Sequence, residues 1–339
     1  MKPIQNPPNP FESENLFYFD DVVPPAKLEV YEDSTRSILA ENKSPDLGFR
    51  WSLNPYRGCQ HACAYCYARP SHEYLGFGAG TDFETKIVIK RKAPELLKQT
   101  FMKKSWKGEL IVFSGDTDCY QPLEASYRLT RQCLEVCHEF GNPVSIITKS
   151  FLITRDLDLL KRLHDRTHLN VVISIPFFDE KTARLVEPHA ASISRRFDAV
   201  KMVSDLGICV SVNVAPIIPG LSDSDIPMIL KKAKECGAKS ASPVLLRLPG
   251  SVKEVFLLRM KRLFPLAYRK IENRIRETRE GRLYNSEFGR RHRGKGAYWD
   301  NIEKMFYVHA EKLGFNQDSI ETFRLPFSRP SWQKELLFN

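Results

Sequence analysis

Three cysteines lie within eight residues of one another, and their spacing is the first feature of this chain that indicates chemistry. They are Cys59, Cys63 and Cys66, in the stretch NPYRGCQHACAYCY at positions 54–67. Three thiolates at this spacing can point into one tight loop and bind three corners of a cubane four-iron cluster. The fourth iron then lacks a protein ligand, and an open position distinguishes a reactive metal centre from a closed structural one. We therefore expect a [4Fe-4S] cluster on these cysteines.

A zinc site is the alternative interpretation of the same loop. Structural zinc takes four ligands, so His61 or His72 would have to supply the fourth. Zinc knuckles usually pair two Cys-x2-Cys units, and this stretch has one, formed by Cys63 and Cys66. The spacing therefore favours the iron–sulfur cluster.

The rest of the composition is that of an ordinary globular protein. The chain has 339 residues, of which 42% are hydrophobic and 27% charged, enough to bury a core without disulfides. Of the five scattered cysteines, Cys133 and Cys137 fall on a predicted helix, where buried thiols are common. The sequence has no apparent signal peptide or membrane-spanning run, so we expect a cytoplasmic protein without a membrane partner.

Short apolar runs alternate with amphipathic stretches from about residue 48 onward. The runs predict strands over 49–53, 109–113, 144–148, 170–175, 209–215 and 244–248. The stretches between them predict helices over 93–103, 127–140, 155–164 and 223–236. Strands alternating with helices favour an α/β fold with parallel strands. Six units predict a partial, TIM-like (β/α)6 barrel, whose strand C-terminal ends form the working face.

Changes in composition and hydrophobic pattern along the chain predict three regions. Residues 1–47 are expected to form an extended arm, residues 48–250 the barrel, and residues 251–339 a basic helical C-terminal extension. Residues 251–300 hold 14 Lys or Arg against 6 Asp or Glu, which suits a polyanionic partner such as a nucleic acid. Four aromatic residues there could stack on bases, or equally form the apolar face of a helical cap: Tyr284, Phe288, Tyr298 and Trp299.

The cysteine stretch resembles the signature of the radical SAM superfamily, Cys-x3-Cys-x-aromatic-Cys, with Tyr65 as the aromatic residue. Four longer stretches are similar to the spore photoproduct lyase-related, or DNA repair photolyase-like, members of that superfamily. They are SLNPYRGC at 52–59, CYARPSHEY at 66–74, DFETK at 82–86 and TDCYQPLE at 117–124. The resemblance covers about residues 45–250 and most of the chain after them.

This resemblance implies that S-adenosylmethionine (SAM) binds the open iron. Its reductive cleavage would then give a 5′-deoxyadenosyl radical that abstracts hydrogen from a substrate, with an electron donor of the flavodoxin or ferredoxin type. The substrate stays open, because kinship does not fix it. It is a nucleic acid, as for a DNA-repair lyase, or a protein or small molecule. A non-catalytic, metal-stabilised nucleic-acid-binding protein is the third alternative.

The resemblance also places SAM-binding residues after later strands. Ser114, Gly115 and Asp116 stand where the superfamily often has Gly-Gly-Glu beside the SAM amino group. Ser174 stands in the fourth strand, where a polar side chain commonly reaches the ribose or carboxylate of SAM.

The fifth strand leads into a partial match to the superfamily pattern Gly-x-Ile-x-Gly-x-x-Glu. Ile218 and Gly220 are in register with it, whereas Pro216 and Asp223 replace the first Gly and the Glu. This segment is the candidate for contact with adenine.

Arginines and one further cysteine complete the candidate residues. Arg195, Arg196 and Arg247 are candidates for the SAM carboxylate, because a guanidinium binds a carboxylate through two parallel hydrogen bonds. Cys119 lies just beyond the second strand and is a candidate donor of a hydrogen atom to a product radical. The alternative for Cys119 is a thiol packed below the site.

Overall fold

The structure is a computed structural model that describes residues 27–317 and 326–330. Its strands are β1 (Glu29–Glu32), β2 (Leu39–Glu41), β3 (Trp51–Leu53), β4 (Tyr56–Arg57), β5 (Lys86–Ile89), β6 (Ile111–Phe113), β7 (Val144–Thr148), β8 (Leu169–Ser174), β9 (Cys209–Ile217) and β10 (Ser240–Leu245). Its α-helices are α1 (Asp82–Thr85), α2 (Ala93–Met102), α3 (Glu124–Tyr127), α4 (Leu129–Phe140), α5 (Leu157–Arg166), α6 (Glu180–Val186), α7 (Ile193–Ser204), α8 (Ile226–Glu235), α9 (Val252–Leu263), α10 (Tyr268–Glu277) and α11 (Ala297–Lys312).

The main sheet contains seven strands in the order β10-β9-β8-β7-β6-β3-β2. The six strands from β3 to β10 in this order pair in parallel, and β2 adds an antiparallel edge to β3. Helices lie between successive parallel strands along the chain. Because β2 and β10 do not pair in the part of the chain that the structure describes, the barrel is open. The predicted partial (β/α)6 barrel with parallel strands is confirmed.

The predicted strand bounds agree best with the observed ones where the apolar pattern is strongest. The prediction for 144–148 coincides with β7, whereas the last strand, predicted at 244–248, begins earlier and is β10. Pro243 lies inside β10. A proline is tolerated there because β10 is at the edge of the sheet. A small sheet of β1, β5 and β4 was not predicted.

Part of the predicted N-terminal arm is built into these sheets. Strand β1 pairs with β5, and β2 pairs with β3, so residues 29–41 extend both sheets. Residues 1–26 of the predicted arm and 331–339 of the predicted tail lie outside the described residues. The limits of the three predicted regions stay a prediction.

The two faces of the main sheet differ in polarity. On β8, Val171 and Ile173 are fully buried in the core on the side where α5 and α7 pack. On the alternate positions, Asn170 donates to Ser145 Oγ at 3.4 Å and accepts from Ser211 Oγ at 3.2 Å. Since side chains alternate along a strand, these polar residues line the face away from the helices, the concave face of the open barrel.

Helices α9 to α11 continue from the last strand and pack against the barrel. Helix α11 buries Trp299, Ile302 and Phe306 in the main core, beside α8 and β10. Among the described residues, no helix combines the length and the apolar character needed to cross a membrane.

Candidate functional site

Residues 58–69, here called the cysteine loop, leave strand β4 through a glycine. Gly58 has φ +74°, and a Cβ there would lie 2.9 Å from the Phe83 carbonyl oxygen, so a side chain is excluded. The Cys59 amide donates to that carbonyl at 2.9 Å. Gln121 ties the loop to the segment after β6, because its oxygen accepts from the Gln60 amide and its Nε2 donates to the Gly58 carbonyl. The backbone of the loop is therefore held on two sides.

The three predicted ligands lie together on this loop. Cys59 and Cys63 are buried and Cys66 is half-buried. Burial raises the pKa of each thiol, to about 12 for Cys63. At Cys59 the negative charges of Asp118, Cys66 and Cys63 add to that rise in pKa. Binding of iron would therefore release protons from thiols that are otherwise protonated at neutral pH.

The donor set fits a four-iron cluster better than one zinc ion. Among the described residues, no group of three His, Cys, Asp or Glu side chains converges on a single ion. A cubane does not need such convergence, because each thiolate binds a different iron corner. His61 Nδ1 lies 3.4 Å from Asp118, and His72 Nε2 lies 2.8 Å from the Lys86 carbonyl, so both candidate zinc ligands contact other groups.

One buried carboxylate contacts the side chains of the loop. Glu187 accepts hydrogen bonds from the Tyr65 hydroxyl and from Arg196, and its Oε1 lies 4.0 Å from the Cys63 sulfur. Lys149 Nζ lies 3.7 Å from the same carboxylate. Burial would raise the pKa of Glu187, but the charges of Arg196 and Lys149 hold it below the ordinary value. Glu187 is therefore an anion beside Cys63, one of the predicted cluster ligands.

A second buried carboxylate contacts the loop through two arginines. Glu84 accepts from Arg69 Nη2 at 2.5 Å and from Arg259 Nη2 of α9. The same Arg69 nitrogen donates to the Cys63 carbonyl at 2.8 Å, and Arg259 Nη1 donates to the Ala62 carbonyl at 2.7 Å. Burial raises the pKa of Cys66, and the charge of Arg69 is the largest of the effects that oppose this rise.

The segment Ser114-Gly115-Asp116 reaches the loop from the end of β6. Ser114 has φ +74°, and its hydroxyl accepts from the Cys119 amide at 3.0 Å. The Gly115 carbonyl accepts from the Tyr67 hydroxyl at 2.9 Å. Asp116 accepts from Ser71 at 3.1 Å, and burial raises its pKa. Gly115 is thus linked to the loop through Tyr67, and Asp116 to the segment just after the loop through Ser71.

Ser174 and the segment after β9 have different surroundings. Ser174 pairs with Asn213 on the concave face, and its carbonyl accepts from Arg196 at 3.1 Å. Ile218 is fully buried. Gly220 has φ +78°, and a Cβ there would lie 3.1 Å from Arg274 Cγ, so α10 covers this turn.

Two of the predicted residues, Arg195 and Cys119, have surroundings that do not favour their predicted roles. Arg195 is exposed and lies over the Phe151 ring at 4.5 Å, whereas its neighbour Arg196 is buried and points towards Glu187. A helix turns its side chains by about 100° per residue, so adjacent arginines face different ways. Cys119 is fully buried in the main core, which favours the alternative of a thiol packed below the site.

Several residues beside the loop were not predicted from the sequence. Lys149 directly follows β7, and a polar residue at the C-terminal end of a parallel strand is a usable signal. Glu84, Glu187 and Arg259 have no such signal, because the contacts that bring them to the loop join residues more than 100 positions apart.

The comparisons with known proteins identify the family of this chain. Residues 53–233 match the family model described as the Radical SAM superfamily. An uncharacterised protein of Mycobacterium tuberculosis is 35% identical over 231 residues, which cover 67% of this chain and 68% of that protein. A protein of Pseudomonas phage M6 named radical SAM Nalpha-GlyT isomerase is 27% identical over 197 residues, 58% of this chain and 39% of its own.

A solved structure with a similar fold is a spore photoproduct lyase mutant with bound AdoMet and dinucleoside spore photoproduct. The two structures have a TM-score of 0.56 and 17% sequence identity, over 85% of this chain and 80% of that one. Identity at this level establishes the likeness of the fold alone.

Proposed function

Because the chain belongs to the radical SAM superfamily, we propose that it is an enzyme that abstracts a hydrogen atom from a nucleic acid bound across the mouth of the open barrel. Its cofactors are a [4Fe-4S] cluster and SAM. Together, when bound and reduced, they supply a 5′-deoxyadenosyl radical. In this proposal Cys59, Cys63 and Cys66 hold the cluster, and a small redox protein of the flavodoxin or ferredoxin type supplies the electron.

Lys149 is our candidate for binding the SAM carboxylate. Burial opposes its charge, but Cys63 and Glu187 raise its pKa, so the side chain is a cation. Its contacts are loose, at 3.7 Å to Glu187 and 3.4 Å to the Tyr65 hydroxyl, and 16% of the side chain is exposed. Arg196 is less suited to the task, because its guanidinium already donates to Glu187, Ser174 and Ala191.

Other predicted residues are candidates for further contacts with SAM in this proposal. Gly115 and Asp116, which lie beside the loop, would bind the SAM amino group. Ser174, which lies on the concave face, would bind the ribose or the carboxylate of SAM. The covered turn with Ile218 and Gly220 stays the candidate wall for adenine.

The observation that supports a nucleic acid is a basic segment fastened beside this site. Residues 287–295, here called the basic strap, contain four Lys or Arg and one Glu. The buried Arg279 donates to the backbone carbonyls of Arg290, Arg291 and Arg293 at 2.7–3.0 Å, and to that of Leu246 at 2.9 Å. The strap carbonyls are therefore satisfied inside the protein.

The strap adjoins the cysteine loop. The Leu245 amide donates to the His292 carbonyl at 3.1 Å, which fastens the strap to the end of β10. Two residues later, Arg247 lies over the Tyr67 ring at 5.1 Å, and Tyr67 donates to Gly115. Arg247 and Arg293 have no carboxylate within ion-pair distance in the described part of the chain. They are therefore available to phosphates, which bind arginine through charge-assisted hydrogen bonds.

A groove of about 480 Å³ lies between α9, α10 and the segment that follows α10. Lys253 and Arg282 line it together with Tyr284, Leu257 and one carboxylate, Glu254. Cations beside an aromatic ring suit an unpaired nucleotide, because the ring stacks on a base while the cations meet its phosphates.

Hydrogen transfer from labelled oligonucleotides tests this function. Reconstituted, reduced enzyme with SAM would be incubated anaerobically with deuterated single-stranded DNA, duplex DNA or RNA, and the 5′-deoxyadenosine analysed for deuterium. We expect deuterium in the product with at least one of these polymers, and binding that weakens steeply with salt. Unlabelled 5′-deoxyadenosine with all of them, and no salt-dependent binding, would refute a nucleic-acid substrate.

A further inference from the structure

Two arginines and one carboxylate form a buried group behind the cysteine loop. Arg69 is 0% exposed, Arg259 4% and Glu84 7%. Both arginines donate to the same oxygen of Glu84, although Arg259 is 175 residues away in the chain. The group therefore joins α9 of the C-terminal region to the segment that follows the cysteines.

The same arginines bind the loop backbone at two adjacent residues. Arg259 donates to the carbonyl of Ala62, a residue with φ +58°, and Arg69 donates to the carbonyl of Cys63. A left-handed conformation is unfavourable for alanine, so it needs fixing contacts from its surroundings. The two arginines supply such contacts between Cys59 and Cys66.

The charges of this group do not cancel. Two guanidinium cations share one carboxylate, which leaves a buried positive charge, and burial of an unbalanced charge is costly. Three thiolates on a four-iron cluster make an anionic assembly, which gains a further negative charge when it is reduced. A buried positive charge at the carbonyls of residues 62 and 63 therefore complements the cluster, and the complementarity is greatest in the reduced state.

We infer that the Arg69–Glu84–Arg259 group positions the cysteine loop and raises the reduction potential of the cluster. This inference depends on the proposed cluster ligands, but not on the proposed substrate. Net charge and hydrogen bonds near the sulfur ligands are among the factors that set the potentials of iron–sulfur clusters.

A pair of opposite substitutions tests the inference in the full chain. Arg259→Met removes a cation and is expected to make the midpoint potential more negative. Glu84→Gln removes an anion and is expected to make it more positive. The measurement is a redox titration of the reconstituted cluster, followed by electron paramagnetic resonance, with iron content determined for each variant. Arg279→Met is the matched control, because it removes another buried arginine, one that binds the strap carbonyls instead of the cysteine loop, and the potential should not change.

Equal occupancy with no shift, or shifts of the same sign in both variants, would overturn the inference. If Arg259→Met does not retain a cluster, amide hydrogen exchange of the metal-free protein gives a second readout. We expect faster exchange of loop amides 59–66 in Arg259→Met than in wild type, with Arg259→Lys between the two. Unchanged exchange at these amides would contradict the positioning role. Failure of iron to bind the wild-type cysteines would instead refute the ligand assignment under the proposed function.

Discussion

Two buried carboxylates reach the cysteine loop, and they hold it in different ways. Glu84 acts through arginines that donate to backbone carbonyls, whereas Glu187 contacts side chains, including Tyr65. The first group fixes the path of the chain, and the second sets the charge beside Cys63. The cysteine loop thus has separate groups for fixing its backbone and for setting the charge beside its side chains.

The two groups also differ in how closely their cations are bound by hydrogen bonds and ion pairs. Arg69 is fully buried and makes four hydrogen bonds shorter than 3 Å. Lys149 keeps its nearest carboxylate at 3.7 Å and is partly exposed. The Glu84 side is therefore suited to rigidity, and the Glu187 side can accept a new anionic partner.

The largest expected effect is loss of the cluster from the loop that both groups hold. Replacing Cys59, Cys63 or Cys66 with Ala should abolish the iron–sulfur absorbance and all SAM cleavage, because each removes one of three iron ligands. Cys137→Ala is the matched control, a buried cysteine of α4 that should keep both. An intact, active cluster in any of the three variants would refute the ligand assignment.

Breaking the Glu84 group should cost the most stability. Arg69→Met leaves Glu84 with one cation and removes the donor from three backbone carbonyls, so we expect a loss of about 3–5 kcal/mol in the free energy of unfolding. Denaturant unfolding of the metal-free protein measures it. A loss below about 1 kcal/mol, the ordinary value for a single hydrogen bond, would contradict the rigid role of this group.

Replacing Lys149, on the Glu187 side of the loop, should affect SAM binding more than folding. Lys149→Met should lower stability by less than about 2 kcal/mol and weaken SAM binding about tenfold or more, because a charge-assisted hydrogen bond contributes about 1.5–3 kcal/mol. Titration of SAM into the reconstituted, oxidised protein measures the affinity. Lys201→Met, in an exposed pair with Asp205, is the control. An unchanged SAM affinity in Lys149→Met would contradict the assignment of Lys149 to the SAM carboxylate.

The smallest effect is expected in the basic strap. Arg293→Ala should weaken oligonucleotide binding and lower the slope of log affinity against log salt by about 1, because one phosphate contact is lost. Arg162→Ala on α5 removes an equal charge elsewhere and should leave the slope unchanged. Equal effects of the two substitutions would indicate a response to net charge alone.

Sequence patterns predicted the parts of this fold that depend on local periodicity. Strand β7 and the parallel order follow from short apolar runs between amphipathic helices, and the cysteine spacing located the loop. The pattern failed at β5, a short strand in the small sheet that directly follows the four-residue helix α1. Polar residues of the concave face, such as Asn170 and Ser211, interrupt the apolar runs because they face away from the helices.

The ion groups of the site lay beyond sequence reasoning for a physical reason. Glu84 meets Arg259 across 175 residues, and Glu187 meets Tyr65 across 122. No local spacing encodes such contacts, because tertiary packing alone brings the partners together. Arg195 and Arg196 were equivalent in the sequence, and the orientation of α7 separates them.

Reductive cleavage of SAM by the reconstituted protein tests the central claim most directly. Wild type and Cys63→Ala would be loaded anaerobically with iron and sulfide, reduced, and mixed with SAM, and 5′-deoxyadenosine would be quantified. We predict 5′-deoxyadenosine from the wild type and none from the variant. Wild-type protein that binds zinc in place of the cluster, or a Cys63→Ala variant that cleaves SAM as fast as the wild type, would contradict the account.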